Sequence, residues 1–247
     1  MLQLRKGHYL SRAATSHTDL AAALALRQRC FAPSAAVIDA PAEPDSYDAR
    51  CSQIIVEDIR TATVVCCFRV MYLETAASLP NSYSAQFYDL SALAQFQGPM
   101  LEIGRFCLHP DHHDPDILRM AWGALTQWVD AAGVRLLFGC SSFAGDDPRL
   151  HLNAFCLLHA KHAAPSQWRP KAKAPEIFDF AKELKGLAPV TGQNGVPPLL
   201  RTYLLMGGWV SDHAVYDRQM QTMHVFTAVE IAAIPPARVR LLRAVAG

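Results

Sequence analysis

Hydrophobic and polar positions recur along much of the chain with a period that predicts secondary structure. The runs 52–58 (SQIIVED) and 63–72 (TVVCCFRVMY) are apolar, rich in β-branched residues and close together, which predicts a β-hairpin. Ser16 and Asp19 resemble a capping box, and apolar residues follow them at helical spacing. This pattern predicts a helix through about Cys30.

The middle of the chain alternates between strand and helix patterns. Residues 99–110 (PMLEIGRFCLHP) predict a strand whose apolar parity switches at Gly104, as in a strand that carries a bulge. Asp114 and Gly133 are typical start and stop signals of a helix between them. A buried-type strand at 134–140 and another helix follow. This order favours parallel pairing of the two strands.

The remaining segments complete a mixed α/β sheet in a single domain, residues 1–247. An acidic stretch punctuated by prolines, about 33–50, predicts a mobile loop. Residues 83–93 are ambiguous between helix and irregular structure, while 197–208 favour a helix. Two late strands and a terminal helix are expected after it.

Composition excludes several classes of protein. The 247 residues carry 23 lysines and arginines against 22 acidic residues, a net charge of +1, whereas nucleic-acid binding normally needs a clear basic excess. The amino terminus lacks the apolar core of a secretory signal, and no uncharged apolar run reaches the roughly 18–20 residues of a membrane span. Seven cysteines form no C-x-x-C pair. We therefore expect a reduced, cytoplasmic protein without a nucleic-acid partner.

Acid–base chemistry has one compact pair of candidates. Glu102 and Arg105 lie three residues apart in the strand with the parity switch, where a bulge can bring both to one face. The glutamate can accept a proton while the arginine orients a carboxylate, and an edge salt bridge is the alternative interpretation. The histidines and aspartates of 109–116 match no zinc-binding pattern, and no metal site is predicted. Phosphate-binding glycine motifs are absent from the sequence, so no nucleotide cofactor is expected.

Basic residues cluster between Lys161 and Lys185 and again in the terminal helix. Such patches suit an acidic protein partner or an anionic lipid surface, and a plain solvated face is the alternative.

Three separated motifs carry a resemblance to a known family: LEIGRFCLHPD (101–111), LFGCSSFAGDDP (137–148) and PPLLRTYLLMGGWVSDHAVYDRQMQTMHVFTAV (197–229). They resemble the bacterial L-ornithine Nα-acyltransferases of ornithine-lipid synthesis, the haemolysin-like branch of the GCN5-related N-acyltransferase (GNAT) superfamily. The resemblance extends over nearly the whole chain. It implies a mostly antiparallel central sheet with flanking helices and a family-specific carboxy-terminal part at about 165–247.

The resemblance implies a reaction without a separate cofactor. A 3-hydroxyacyl chain passes from the phosphopantetheine arm of acyl carrier protein to the α-amine of L-ornithine, giving lyso-ornithine lipid. One alternative is an acyl-homoserine-lactone synthase, which shares the E-x-x-R-F strand but uses S-adenosylmethionine. A non-catalytic module that binds acyl carrier protein is another.

The resemblance also implies roles for individual residues. Glu102 matches the position of the base and Arg105 the signature arginine of the E-x-x-R-F motif. The other roles are acyl and oxyanion binding (Gly104, Phe106, Cys107), amine-substrate binding (Asp45, Asp48, Arg69, and less securely Arg27 and Phe31) and carrier-protein docking (Arg169, Lys171, Lys173). The proton donor to the leaving thiolate stays open among Tyr83, Tyr88, Ser141 and Ser142.

One loop departs from the superfamily pattern. Members that use acyl-CoA hold its pyrophosphate with a glycine-rich loop before a helix, whereas this chain has HPDHHDPDI, residues 109–117. Three aspartates there repel a diphosphate, which favours a carrier-protein donor. The apolar product and the arginine-bearing terminal helix suggest peripheral contact with the inner membrane.

Overall fold

The computed structural model describes residues 3–31, 42–187 and 195–246. Its strands are β1 (Gln3–Lys6), β2 (Tyr9–Ala13), β3 (Ser52–Asp58), β4 (Thr63–Leu73), β5 (Tyr88–Asp89), β6 (Met100–Leu108), β7 (Leu136–Ala144), β8 (Lys171–Ala172), β9 (Ile177–Asp179), β10 (Trp209–Val210), β11 (His213–Asp217) and β12 (Thr222–Glu230). The α-helices are α1 (His17–Phe31), α2 (Pro115–Ala132), α3 (Leu152–Lys161), α4 (Phe180–Glu183), α5 (Pro198–Leu205) and α6 (Pro236–Ala246).

The chain divides into two compact units. The first comprises Met1–Tyr72, Ile103–Val134 and Pro236–Gly247, and the second comprises Leu73–Glu102 and Arg135–Pro235. Strand β6 contributes its first three residues to the second unit and the others to the first. The single-domain assignment stays a prediction.

The first unit is built on strands in the order β1-β2-β3-β4-β6, with antiparallel pairing from β1 to β4. Helix α2 packs against β1, β2 and α6, and α1 packs against β3. The α1 face meets the sheet in a buried cluster of Ala23, Leu26, Ile55, Cys67 and Cys107. The predicted hairpin is confirmed.

Helix boundaries in this unit follow from local capping. The Ser16 hydroxyl accepts a hydrogen bond from the Asp19 amide at 3.0 Å, and the Asp19 carboxylate accepts one from the Ser16 amide at 3.3 Å. This is the reciprocal capping box that the sequence predicted. Asp114 caps α2 by accepting from the amide of Asp116, and Gly133 ends the helix in the left-handed conformation with φ of 60°.

The second unit orders its strands β6-β7-β12-β11-β9, with β10 beside β12 and a separate pair β5-β8. Strands β6 and β7 are parallel, from Met100 opposite Leu136 to Glu102 opposite Phe138, while the other pairings are antiparallel. The predicted mixed α/β fold with mostly antiparallel pairing is confirmed.

Several local expectations need correction or completion. The ambiguous segment 83–93 is irregular, with short 3₁₀ turns around β5. Strands β1, β8 and β9 were not predicted, because they are only 4, 2 and 3 residues long. Of the predicted loop, residues 33–41 lie outside the described residues, and Asp48–Arg50 form a 3₁₀ turn.

Within the part of the chain that the structure describes, no helix combines the length and the apolar character that crossing a membrane requires.

Candidate active site

The carboxylate of Glu102 is buried in the second unit and surrounded by donors. The residue is 4% exposed. Oε2 accepts a hydrogen bond from the Tyr83 amide at 2.8 Å, and Oε1 accepts from the Ser84 amide at 2.7 Å and from the Ser84 hydroxyl at 2.6 Å. All three donors belong to the turn at Tyr83 and Ser84, so this turn fixes the position of the Glu102 carboxylate at the start of β6.

Other polar side chains approach the same point. The Ser84 hydroxyl lies 3.5 Å from the Cys140 thiol on β7. Burial, and then the charge of Glu102, raise the pKa of Tyr203. Glu102 and Ser84 are therefore part of a small polar cluster in the second unit.

The first unit holds a separate cluster of arginines and aspartates. The Arg69 side chain is 3% exposed, and its Nη1 donates to Asp45 at 2.5 Å and to Asp48 at 2.8 Å. Burial by itself raises the pKa of Asp45, but the bond and charge of Arg69 outweigh it, so the pKa is lowered. The predicted set Asp45, Asp48 and Arg69 is brought together.

Asp48 is committed to structural contacts. Burial again works to raise its pKa, while Arg69 and then Arg27 lower it overall. Arg27 donates to both carboxylate oxygens at 2.8 Å, Gln53 donates at 2.9 Å, and the Asp45 amide donates at 2.7 Å. With these donors in place, Asp48 fixes the loop rather than offering an open acceptor.

Arg105 interrupts strand β6. Its φ of 51° is left-handed, a conformation that costs about 1–2 kcal/mol in a non-glycine residue. Its Nη2 donates to Asp45 at 3.2 Å, and its guanidinium lies 5.9 Å from the centre of the Phe31 ring. The irregularity that the parity switch predicted is present, but Arg105 adopts the left-handed angle and not Gly104.

Gly104 is needed for a different reason. A Cβ at this position would lie 3.3 Å from Nε of Arg69, which is tighter than ordinary contact. The glycine therefore admits the buried arginine beside the strand. Next along β6, the Phe106 ring stacks on Phe68 at 5.2 Å, and the Cys107 thiol is buried, which raises its pKa.

The basic residues predicted to dock a carrier protein are exposed, but they are not equivalent. Lys173 donates to the Ala85 carbonyl at 2.6 Å, and Arg169 donates to the Ala164 carbonyl at 3.3 Å. Lys171 lies opposite Asp89 in the β5–β8 pair. Lys173 thus serves the turn beside Glu102 in addition to any surface role.

The four candidate proton donors to the leaving thiolate differ in burial. Tyr88 is fully buried and donates to the backbone carbonyl of His224 at 3.0 Å. Ser141 is buried and accepts from the Thr227 hydroxyl at 2.9 Å. Tyr83, which is partly exposed, and Ser142, which is exposed, stay as candidates.

The acidic loop before α2 uses its charges locally. Asp114 caps the helix and accepts from the Tyr9 hydroxyl at 2.9 Å, while Asp111 pairs with Arg29 at 2.6 Å. Among the described residues, no group of three or more His, Cys, Asp or Glu side chains is arranged to hold a metal ion.

Ser84 is the contact residue that the sequence did not reveal. It lies 18 positions from Glu102, in the segment whose pattern was ambiguous. The amides of Tyr83 and Ser84 are backbone donors, and a backbone donor cannot be recognised from the type of residue that carries it. Gln53, which donates to Asp48 at 2.9 Å, was also missed, although it lies only 5 positions away in sequence.

Comparison with known proteins defines the class. Residues 26–123 match the model of the acetyltransferase (GNAT) domain. FeeM, an N-acyl amino acid synthase from uncultured soil microbes, has a similar fold, with a TM-score of 0.52 at 8% identity over 92% of this chain and 94% of that one. The chain is an N-acyltransferase with a GNAT domain.

Relatives define the family more closely. The L-ornithine N(alpha)-acyltransferase of Rhodobacter capsulatus is 31% identical over 198 residues, 78% of this chain and 76% of the relative. The enzyme of the same name from Rhizobium meliloti is 26% identical over 91% of this chain and 80% of its own. The chain belongs to the L-ornithine N(alpha)-acyltransferase family.

Proposed function

We propose that the protein transfers a 3-hydroxyacyl chain from acyl carrier protein to the α-amine of L-ornithine, forming lyso-ornithine lipid. The neutral amine attacks the thioester carbonyl, the C–N bond forms and the C–S bond breaks. The amine gives up one proton, and the carrier leaves as a thiolate that takes up a proton to become a thiol. The products are an ornithine amide and free carrier thiol.

The observation that carries this proposal is the buried, triply hydrogen-bonded carboxylate of Glu102 in a chain of this family. Aminolysis needs a group that accepts the amine proton, and a positioned carboxylate does so directly or through one water. We assign that role to Glu102. Backbone N–H groups around Gly104, Phe106 and Cys107 are assigned to the thioester oxygen.

The acceptor is assigned to the arginine–aspartate cluster of the first unit. Ornithine carries a carboxylate and two amines, so its recognition needs both signs of charge. Asp45 retains a partly exposed carboxylate, and Arg105 is a candidate partner for the substrate carboxylate. Asp48 and Arg69 are assigned to hold the loop that presents Asp45.

The choice of carrier protein as donor is supported by the loop before α2. The first amides of a helix bind phosphate groups when they are free, but here the Asp114 carboxylate accepts from the Asp116 amide. The negative charges of a CoA diphosphate are therefore disfavoured at the start of α2. A carrier presents only one phosphodiester, and its acidic surface complements exposed Arg169 and Lys171.

Contact with the inner membrane is proposed for α6. This helix exposes Arg240 beside Leu241, whose exposure is 59%. Basic and apolar groups side by side suit an anionic lipid surface near an apolar product.

A purified transfer assay tests the proposal. The donor is 3-hydroxyacyl carrier protein or 3-hydroxyacyl-CoA, the acceptor is ornithine, and the product is identified by mass spectrometry. Ornithine amide from the carrier donor alone supports both reaction and donor. Equal transfer from the CoA donor supports acylation of ornithine but contradicts the argument from the loop before α2 for a carrier-protein donor. A released lactone, or product with another amine only, overturns the assignment to ornithine.

A charge reversal on the exposed basic surface tests the docking of the carrier protein. Lys171→Glu is expected to lower kcat/KM with the carrier donor and to leave transfer from a small pantetheine thioester unchanged. Lys185→Glu, at another exposed lysine of the same stretch, is the matched control.

A further inference from the structure

The second unit contains a cleft of about 670 Å³ beside the Glu102 turn. This size falls within the range of small-molecule sites. Small side chains make up much of its wall: Ala76, Ala77, Ala85, Ala94 and Ala172. Leu79, Pro80 and Leu90 add further apolar surface to this wall.

The polar groups at the cleft are already satisfied. Lys173 donates to the Ala85 carbonyl at 2.6 Å, and the Ser91 amide donates to Asp89 at 2.9 Å. Tyr88 also lines the cleft, but its hydroxyl is engaged by His224, with both Nδ1 and the backbone oxygen at 3.0 Å. These groups are held against the protein, and an apolar ligand gains contact with the rest of the wall without disturbing their bonds.

One turn connects this cleft to the proposed catalytic carboxylate. The 3₁₀ turn Ser84–Gln86 gives Ala85 to the cleft wall, while the Ser84 amide and hydroxyl bind Glu102. Ala85 of the cleft wall and Ser84, which binds Glu102, are thus adjacent in the chain. Lys173, directly after β8, also holds this turn, since its ammonium donates to the Ala85 carbonyl.

We infer that this cleft holds the hydrocarbon chain of the acyl donor and sets the preferred chain length. The inference rests on the proposed function, in which the donor carries a long apolar chain. Alanine walls leave room for a flexible chain, and each methylene that leaves water strengthens binding about fourfold. Because the wall is shared with the Glu102 turn, a chain in the cleft lies next to the proposed base.

Substitutions that fill the cleft test this assignment. Ala77 and Ala94 are exposed wall residues, so Ala77→Trp and Ala94→Trp add bulk to the cleft and not to the core. Ala160→Trp, at an exposed alanine of α3 outside the cleft, is the matched control. Each variant is assayed with 3-hydroxyhexadecanoyl and 3-hydroxyoctanoyl carrier protein, and the ratio of the two kcat/KM values is the readout.

Exclusion of only two methylenes predicts that the ratio of long-chain to short-chain kcat/KM falls by about fifteenfold in the cleft variants. The control is expected to keep the wild-type ratio. A ratio unchanged in both cleft variants overturns the inference, whatever happens to the absolute rate.

A binding measurement separates this inference from the proposed function. A fluorescent long-chain fatty acid is titrated into the full-length protein without ornithine. Tight binding by the wild type that weakens at least about tenfold in Ala94→Trp supports the cleft even if no ornithine amide forms. Absence of binding to the wild type, or equal binding to wild type and both cleft variants, overturns it even if transfer to ornithine is confirmed.

Discussion

Replacement of Glu102 by glutamine separates a catalytic role from a structural one. The change keeps the size of the side chain and removes its charge. In the structure Oε1 accepts from the Ser84 amide and hydroxyl at 2.7 and 2.6 Å, and Oε2 accepts from the Tyr83 amide at 2.8 Å. An amide group has one acceptor oxygen, so its NH₂ must face one of these donors.

The expected magnitudes follow from those contacts. Loss of one hydrogen bond to a charged group costs about 1.5–3 kcal/mol of stability. Loss of a general base slows the chemical step by about 10²–10⁴-fold, equivalent to about 3–5 kcal/mol in the barrier. The variant is therefore expected to fold less stably and to be nearly inactive at neutral pH.

Single-turnover transfer to ornithine across a range of pH is the assay. At high pH the amine loses its proton without help, so the deficit of Glu102→Gln is expected to shrink. Asp58→Asn is the matched control, because Asp58 is also a buried carboxylate, held by Arg60 at 2.8 Å, and has no proposed role in the reaction. It is expected to lose stability and keep the wild-type rate.

The result that refutes this reasoning is specific. If Glu102→Gln keeps a rate within about threefold of wild type while losing stability like Asp58→Asn, the carboxylate only positions the turn. A deficit that stays constant with pH also contradicts a base, since the missing group would then not be accepting the amine proton.

Three further predictions concern stability. Arg69→Met removes the buried cation that half-buried Asp45 and Asp48 share, and urea unfolding is expected to show a loss of about 1.5–3 kcal/mol, the cost of hydrogen bonds to charged groups; a loss below about 1 would contradict a stabilising role for this cation. Burial, and then His213, lower the pKa of His224 from 6.5 to about 4. The folded state thus resists protonation, so stability is complete above pH 6.5 and falls by about 3 kcal/mol towards pH 4, a slope that His224→Phe should remove. Asp114→Ala is expected to cost about 1 kcal/mol by thermal unfolding, and Asp114→Ser to restore it; equal losses would exclude capping.

Elements whose signals are local could be predicted from the sequence. The helix after Ser16 and the helix from Pro115 to Ala132 follow from caps and apolar spacing within one or two turns. The hairpin and the parallel β6–β7 pair follow from runs of apolar residues and from the order strand, helix, strand. Short strands such as β8 gave no signal, because two residues cannot display a period.

The candidate site was only partly accessible from the sequence. The E-x-x-R-F motif marked Glu102 and Arg105, and the family resemblance implied a role for Arg69. It gave no indication that Asp48 is consumed by internal hydrogen bonds, or that Lys173 binds the Ala85 carbonyl 88 residues away. Neither contact changes the local pattern of the residues that make it.

The sequence by itself determined the longer helices and strands, the mixed α/β class and the family, because caps, periods and motifs act between residues a few positions apart. Only the tertiary structure decided which donors hold Glu102, which aspartate stays partly open and where an acyl chain finds an alanine-lined cleft. The bond from the Ser84 amide to Glu102 spans 18 positions and the bond from Lys173 to Ala85 spans 88, and chain folding alone brings such segments within hydrogen-bond distance.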